Sequence, residues 1–116
     1  MQKEPRQIIL MHDREHLAGY FQYYVNNGTL MVEEIQIAPQ YQQTGALLRL
    51  CRFLCGVIPR ETRCIEAYAH KQNRNSQSVI ASLGMVCLGE TQNGRLWHYR
   101  GDMAPLFARF ARKGTE

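Results

Sequence analysis

The sequence predicts an α/β (α+β) fold in which helices flank a mixed, mostly antiparallel central sheet. Three observations predict it: six short extended segments, three stretches with helical apolar spacing among them, and Asn-Gly turns inside two pairs of extended segments. The extended segments lie at 6–12, 17–25, 29–37, 62–69, 85–90 and 95–100. The helical stretches lie at about 47–58, 75–83 and 104–112.

The first third of the chain is predicted to be an antiparallel meander. Asn26-Asn27-Gly28 separates the second and third extended segments, and Asn-Gly accepts the positive φ angles that tight hairpin turns require. The first segment comes immediately before this hairpin. We therefore expect three consecutive strands that pair with their sequence neighbours.

The period of the apolar residues changes after Pro39. Apolar side chains recur at helical spacing up to Ile58, and Pro59 ends this helix. The strand at 62–69 is then expected to lie beside the third strand with the helix crossing over, as a βαβ unit.

The last third is predicted to contain a short helix, a hairpin and a closing helix. Gly84 follows the short helix at the place where a left-handed residue commonly ends one. Asn93-Gly94 marks the turn of the hairpin. At 116 residues, with 45% hydrophobic and 21% charged residues, the chain is expected to form one domain over 1–116.

Composition sets the expected compartment and argues against a metal site. The four cysteines contain no Cys-x-x-Cys pair and the four histidines are scattered, so no zinc-ligand spacing is present. Free, mostly buried thiols suit a reducing compartment. The longest apolar runs, such as Ile8 to Met11, are too short for a membrane span or a signal-peptide core. The expectation is a cytoplasmic protein without a metal.

A strand, a loop and a helix with one glycine in the loop form the most informative segment, from Ile35 to Leu48. Backbone N–H groups at the start of a helix lie at the positive end of the helix dipole and can bind phosphate oxygens. Gly45 would let the backbone approach such an anion closely. The arrangement is common, so alone it is a weak indication of a nucleotide-like ligand.

Two motifs in this chain resemble the GNAT acyltransferase superfamily. Gln42-Gln43-Thr44-Gly45-Ala46-Leu47 is similar to the family's Gln/Arg-x-x-Gly-x-Gly/Ala, which follows a strand and a proline. Asn73 to Met85 is similar to Asn-x-x-Ala-x-x-x-Tyr-x-x-x-Gly-Phe, without a gap from Asn73 to Gly84. The match is best over 32–85.

The resemblance implies that acetyl-CoA is the co-substrate and lies where two central strands splay apart. In such a site the loop from Gln42 to Leu47 would hold the pyrophosphate through backbone amides. Ile37 would offer main-chain groups to the pantetheine arm, and Asn73 would face the same arm. The cofactor-binding residues implied are Ile37, Gln42, Gln43, Thr44, Gly45, Ala46, Leu47 and Asn73.

Two departures from the family pattern leave two functions open. Leu47 stands where the family has a second small residue, and Ile80 stands where many members have a tyrosine that protonates the leaving thiolate. General acid catalysis typically contributes about 100-fold to 10,000-fold, so its loss need not abolish transfer. The resemblance therefore implies an N-acetyltransferase acting on a primary amine, and the alternative is a catalytically weak or inactive acyl-CoA-binding or interaction module.

The candidate catalytic residue is Glu33, which would take a proton from the acceptor amine directly or through water. Glu34 is its neighbour, and strict alternation favours Glu33 because it would place that side chain on the face of Ile35 and Ile37. A solvated or ion-paired carboxylate is an equally good interpretation of either residue.

Three further groups of residues are site candidates. Tyr68 and His70 end a strand near the expected splay, where they would line the site, relay a proton or only pack. Cys87 has no base beside it in sequence, so an inert core thiol is expected. The basic residues around the phosphate loop that could meet the 3′-phosphate are Arg49, Lys71 and Arg74.

The partners expected are anionic ligands and an amine acceptor, which would be a small molecule or a protein. The formal charge of +4 suits coenzyme A, but a basic nucleic-acid-binding domain would share it and would bind with strong salt dependence. No RNA-binding aromatic motif or basic run accompanies that charge, so nucleic acid is not the expected partner. The chain starts near the family's second strand, which leaves two expectations. Either a second subunit or partner completes the acceptor pocket, with a homodimer as a candidate, or the domain takes a small exposed amine such as a protein side chain or amino terminus.

Overall fold

Six strands form one mixed sheet in the computed structural model, which describes residues 6–42, 45–91 and 93–110. The strands are β1 (Gln7–Asp13), β2 (His16–Asn26), β3 (Thr29–Ile37), β4 (Cys64–His70), β5 (Val86–Thr91) and β6 (Leu96–Asp102). The helices are α1 (Ala46–Val57), α2 (Arg74–Ser82) and α3 (Ala104–Phe110). The strand order is β1-β2-β3-β4-β6-β5, which confirms the predicted fold class.

The antiparallel meander and both Asn-Gly hairpins are confirmed. β1 pairs with β2, and β2 pairs with β3, both antiparallel. Asn27 and Gly28 have φ angles of 52° and 80°, and Asn93 and Gly94 have φ angles of 60° and 79°. Two successive positive φ angles are what a tight hairpin turn of the right twist requires, and asparagine and glycine tolerate them best.

The predicted βαβ unit is confirmed, and its pairing is short. β3 and β4 run parallel with α1 between them in sequence. Their ladder covers four residue pairs, from Thr29–Cys64 to Val32–Ala67. From Glu34 onward β3 pairs with β2 on one side and no longer pairs with β4 on the other, so the expected splay is present.

Element boundaries agree with the sequence prediction within about two residues. A 3₁₀ turn at Pro39–Tyr41, which was not predicted from the sequence, joins β3 to the loop before α1. The strand beside β4 is β6, and β5 forms the far edge of the sheet. The predicted closing helix extended to Arg112, and its last two residues lie outside the described part of the chain.

The core lies between one face of the sheet and the helices. Alternate residues of β2, such as Phe21 and Tyr23, are buried together with one side of α1, including Leu50 and Leu54. Cys51 and Cys55 are buried in this core as free thiols, and burial raises the pKa of Cys51 to about 11.

The opposite sheet face, here called the polar face, carries partly exposed polar and aromatic side chains. They include Tyr20, Gln22, Tyr24, Glu34, Glu66, Tyr68 and His98.

Cys87 does not lie in the core, which corrects the sequence prediction. It is exposed on β5 because this strand forms the edge of the sheet, where fewer neighbours cover a side chain. Among the described helices, none has the length and apolar composition needed to cross a membrane.

Candidate functional site

A cleft of about 200 Å³ opens where β3 and β4 separate. Its walls come from β3, β4, β6 and the first turns of α2. The lining residues are Val32, Glu33, Glu34, Ile35, Tyr68, Ala69, His70, Asn73, Ser76, Ile80 and Leu96. The lining thus combines apolar and polar residues with two carboxylates from β3.

An irregularity in β3 coincides with the start of the splay. Gln22 of β2 lies opposite Glu34, while the next residue, Tyr23, lies opposite Val32. Glu33 is therefore the extra residue of a β-bulge. A bulge bends its strand and increases its twist, which turns the second half of β3 away from β4.

The bulge also overturns the alternation argument that favoured Glu33. Val32 and Ile35 are both buried although they are three residues apart, and Ile37 follows on the same buried face. Glu33 consequently does not share the face of Ile35 and Ile37, because the extra residue shifts the period. The catalytic role of Glu33 stays a prediction, now without that support.

The two β3 carboxylates have different partners. Glu33 Oε1 accepts hydrogen bonds from Arg6 Nε at 2.5 Å and from Gln22 Nε2 at 3.1 Å. This carboxylate raises the pKa of Arg6. Glu34 Oε1 accepts from the Tyr20 hydroxyl at 2.9 Å, and that hydrogen bond raises the pKa of Tyr20. An incoming ammonium group would thus meet one carboxylate already facing a guanidinium and one facing a phenol.

Where β3 no longer pairs with β4, side chains form hydrogen bonds with the backbone groups along that edge of β3. Asn75 Oδ1 accepts from Ile37 N at 3.2 Å, and Asn75 Nδ2 donates to Ile37 O at 2.7 Å. Ser76 Oγ donates to Ile35 O at 2.6 Å. Gln42 Nε2 also donates to Ile37 O, at 3.0 Å. This edge therefore accommodates amide groups, which is the chemistry that a pantetheine arm would present.

Asn73 has a structural role in addition to its position on the cleft wall. It precedes α2, and its Oδ1 accepts from Ser76 N at 3.0 Å, which caps the helix. The side chain that bonds to Ile37 belongs to Asn75 instead. Asn75 and Ser76 were not predicted as site residues, since polar residues in a first helical turn are ordinary.

The start of α1 has the geometry expected of an anion site. Gly45 precedes the helix with φ 88°, a left-handed angle that disfavours other residues. The first intrahelical hydrogen bond runs from Arg49 N to Gly45 O, so the N–H groups of residues 46–48 precede it. Ala46 is buried and Leu47 packs against the core. The predicted residues Gln43 and Thr44 lie outside the described residues.

Of the three basic residues considered for the 3′-phosphate, Arg49 lies beside the loop. A Cβ atom on Gly45 would lie 3.6 Å from Arg49 Nη1, so this guanidinium is close to the start of α1. Lys71 is instead ion-paired with Glu90. Arg74 begins α2.

A larger cleft of about 830 Å³ adjoins the loop on the helical side of the sheet. Gln42, Gly45 and Leu47 lie at its boundary, and the end of α2 and α3 form other walls. Its lining is mainly apolar, with Arg100 and Arg109 among the charged residues. The start of α1 therefore borders open space on this side.

A polar cluster lies on the polar face next to the splay. Glu66 accepts from His98 Nε2 at 3.1 Å and pairs with Arg100. The Tyr68 ring stacks on His98 with centroids 4.6 Å apart, and burial raises the pKa of Tyr68. Within the described residues, no three His, Cys, Asp or Glu side chains are grouped to hold a metal ion.

Several acetyltransferases have the same fold at low sequence identity. An acetyltransferase from Thermus thermophilus superposes with a TM-score of 0.66 at 17% identity, over 84% of this chain and 64% of that one. The PaiA N-acetyltransferase from Thermoplasma acidophilum, in complex with coenzyme A, superposes with a TM-score of 0.63 at 13% identity, over 84% and 60%. The chain thus spans less than two thirds of the length of these two proteins.

A third similar structure is a mutant spermidine/spermine N-acetyltransferase from Vibrio cholerae, with a TM-score of 0.61 at 17% identity, over 90% of this chain and 70% of that one. Other similar structures are described as acetyltransferases of the GNAT family. No family model matches the sequence, and no curated protein matches it. The similarity confirms the predicted GNAT fold. At such low sequence identities, it is evidence for the fold alone.

Proposed function

We propose that this chain, which has the GNAT fold, is an N-acetyltransferase that binds acetyl-CoA in the splay and transfers the acetyl group to a primary amine. The observation that carries the proposal is the coincidence of three features: the strand separation after Val32, an amide-compatible edge at Ile37, and the α1 N-terminus behind Gly45. A pantetheine arm needs the first two, and a pyrophosphate needs the third. The free buried thiols suit a cytoplasmic location.

Different residues would bind different parts of acetyl-CoA. Backbone N–H groups of Ala46 and Leu47 would hold phosphate oxygens, with Arg49 available for a further phosphate. Ile37 would pair with the arm, and the cleft wall would direct the thioester toward the carboxylates of β3. When bound, acetyl-CoA supplies the acetyl group as a thioester that an amine can attack.

Glu33 is the proposed base, and Glu34 is the alternative. A carboxylate at this position would accept a proton from the acceptor ammonium, directly or through water, so that the nitrogen lone pair becomes nucleophilic. The leaving thiolate needs a proton as well, and Ile80, which is 1% exposed, cannot donate one. Water or the Tyr68 hydroxyl, whose pKa is raised by burial, would have to supply it.

The acceptor class rests on the fold and on charge. One similar protein is a spermidine/spermine N-acetyltransferase, and another acts on the ribosomal protein S18 alanine. Both acceptors are amines, which agrees with two carboxylates at the cleft. A small-molecule amine and an exposed protein amine are therefore the acceptors to screen.

The second candidate function is cofactor binding without turnover. Ile80, which stands in place of an acid and is buried, favours this alternative. It predicts saturable acetyl-CoA binding without release of the thiol in the presence of amines. The two functions therefore share the binding site and differ in the chemical step.

The decisive experiment is a calorimetric titration with acetyl-CoA, with coenzyme A and a DNA duplex as comparisons. Gly45→Glu should abolish acetyl-CoA binding, because it combines a strained left-handed φ with a carboxylate at the phosphates. The matched control is Gly56→Glu, the same change near the other end of α1, where a Cβ atom meets nothing within 4 Å. It should bind as the unmodified chain does.

Each outcome of this titration is informative. Loss of binding in Gly45→Glu but not in Gly56→Glu supports the site, and amine-dependent thiol release then supports transfer. Equal affinity in both variants would remove the α1 N-terminus from the site. Salt-sensitive DNA binding without acetyl-CoA binding would contradict the proposed function.

A further inference from the structure

One side chain occupies both main-chain hydrogen-bonding groups of Ile37. The Asn75 carboxamide accepts from Ile37 N at 3.2 Å and donates to Ile37 O at 2.7 Å. These two hydrogen bonds are called the Asn75 bridge. A paired strand, or any ligand with a secondary amide, would use the same two groups in the same way.

We propose that Asn75 is an internal competitor of the pantetheine arm, so that the Asn75 bridge sets the affinity of the site for acetyl-CoA. The inference rests on the proposed function, because it concerns the same cofactor site. In this mechanism, the Asn75 carboxamide closes the edge of β3 while the site is free. It must leave before an amide of the arm can pair with Ile37.

The hydrogen-bonding capacity of Ile37 makes the competition unavoidable. Its N–H can donate one good hydrogen bond, and Asn75 receives it. Its carbonyl oxygen has two lone pairs, and the donors are Asn75 Nδ2 and Gln42 Nε2. Both groups are therefore fully used, and an arm that pairs with Ile37 has to replace the Asn75 carboxamide.

The surrounding contacts allow this replacement without unfolding α2. Ser76 Oγ remains bonded to Ile35 O, and Asn73 Oδ1 caps Ser76 N. Gln77 Nε2 adds bonds to His70 O and Lys71 O. These contacts hold the first turn of the helix in place, so that rotation of the Asn75 side chain is sufficient to expose Ile37.

The expected size of the effect follows from the two bonds that compete. A net protein hydrogen bond contributes about 0.5–1.5 kcal/mol, and a site that is open for only a fraction of the time binds more weakly by that fraction. Removing the carboxamide should therefore tighten acetyl-CoA binding by about tenfold.

The test compares acetyl-CoA affinity of the unmodified chain, Asn75→Ala and Gln77→Ala by calorimetry. Gln77 is the matched control, since it lies near Asn75 at the start of α2 and its amide donates to His70 O and Lys71 O rather than to β3. Circular dichroism and thermal unfolding establish that each variant is folded. Asn75→Ser is the second variant, with a side chain too short to reach both groups of Ile37.

The proposal expects Asn75→Ala or Asn75→Ser to bind acetyl-CoA about tenfold more tightly, while Gln77→Ala keeps the affinity of the unmodified chain. Binding by the Asn75 variants alone would support it most strongly. If the unmodified chain binds acetyl-CoA and the Asn75 variants bind it equally or more weakly, Asn75 does not compete with the pantetheine arm. The proposed function would then stand. If no folded variant binds acetyl-CoA, the proposed function fails and the competition fails with it.

Discussion

The two halves of β3 are held by different kinds of hydrogen bond. Thr29 to Val32 pair with backbone on both sides, from β2 and from β4. Ile35 to Ile37 pair with the backbone of β2 along one edge. Along the other edge, their backbone groups form hydrogen bonds with side chains of α2 and of Gln42. Backbone ladders persist as long as the sheet does, whereas side chains can rotate away. We call Thr29 to Val32 the paired half of β3 and Ile35 to Ile37 the open half. The open half is where a ligand can replace hydrogen bonds without disturbing the fold.

A cavity in the paired half should have the largest effect on stability. Leu30 is 1% exposed, and its strand position pairs with Ile65. Leu30→Ala should lower the free energy of unfolding by about 2–5 kcal/mol, because it removes buried methyl groups and leaves a cavity. Urea denaturation measures this loss.

The comparison of the two halves also predicts what Leu30→Ala leaves unchanged. Acetyl-CoA affinity of the folded variant should equal that of the unmodified chain at a temperature where both are folded. A loss of affinity as large as that expected for Gly45→Glu would show that the two halves of β3 are not independent.

Removing the Ser76 hydroxyl, which bonds to the backbone of the open half, should have an intermediate effect on stability. Ser76 is 5% exposed, and its Oγ bonds to Ile35 O. Ser76→Ala would leave a buried carbonyl without this donor, which costs about 1–3 kcal/mol. The control is Ser82→Ala, whose hydroxyl bonds to Ser78 O on the exposed side of α2 and should change stability by less than about 0.5 kcal/mol. Equal losses in the two variants would mean that Ile35 O does not depend on Ser76.

The paired half was predictable from sequence because its signals are local. Asn27-Gly28 fixes the hairpin by backbone preference, and the change of apolar period after Pro39 marks the crossover helix. The hairpin and the helix each depend on residues within a few positions of one another, and the pairing of β3 with β4 follows from the order of the elements.

The open half was not predictable in the same way. The bulge at Glu33 depends on how β2 and β3 align, and the simple alternation rule therefore misassigned the face of this residue. The bond between Asn75 and Ile37 joins residues 38 positions apart. A single sequence offers no pattern that distinguishes such an asparagine from any other polar residue near the start of a helix.

The smallest effect on stability, and the one that bears on chemistry, is expected for Glu33→Gln. The side chains of Arg6 and Glu33 are 48% and 26% exposed, so solvent screens their ion pair and its loss should change stability little. A glutamine still accepts hydrogen bonds but does not take up a proton near neutral pH. Turnover should therefore fall by about 100-fold to 10,000-fold, with acetyl-CoA affinity unchanged.

Glu34→Gln is the matched variant for this last test, because it makes the same change one residue away, at a carboxylate that faces Tyr20. Initial rates of thiol release at saturating acetyl-CoA compare the two. A defect confined to Glu33→Gln assigns the base to the bulge residue, which would make the irregularity that opens the splay also the source of the catalytic group. A defect confined to Glu34→Gln would transfer the role to its neighbour, and normal rates in both would leave deprotonation of the amine to solvent.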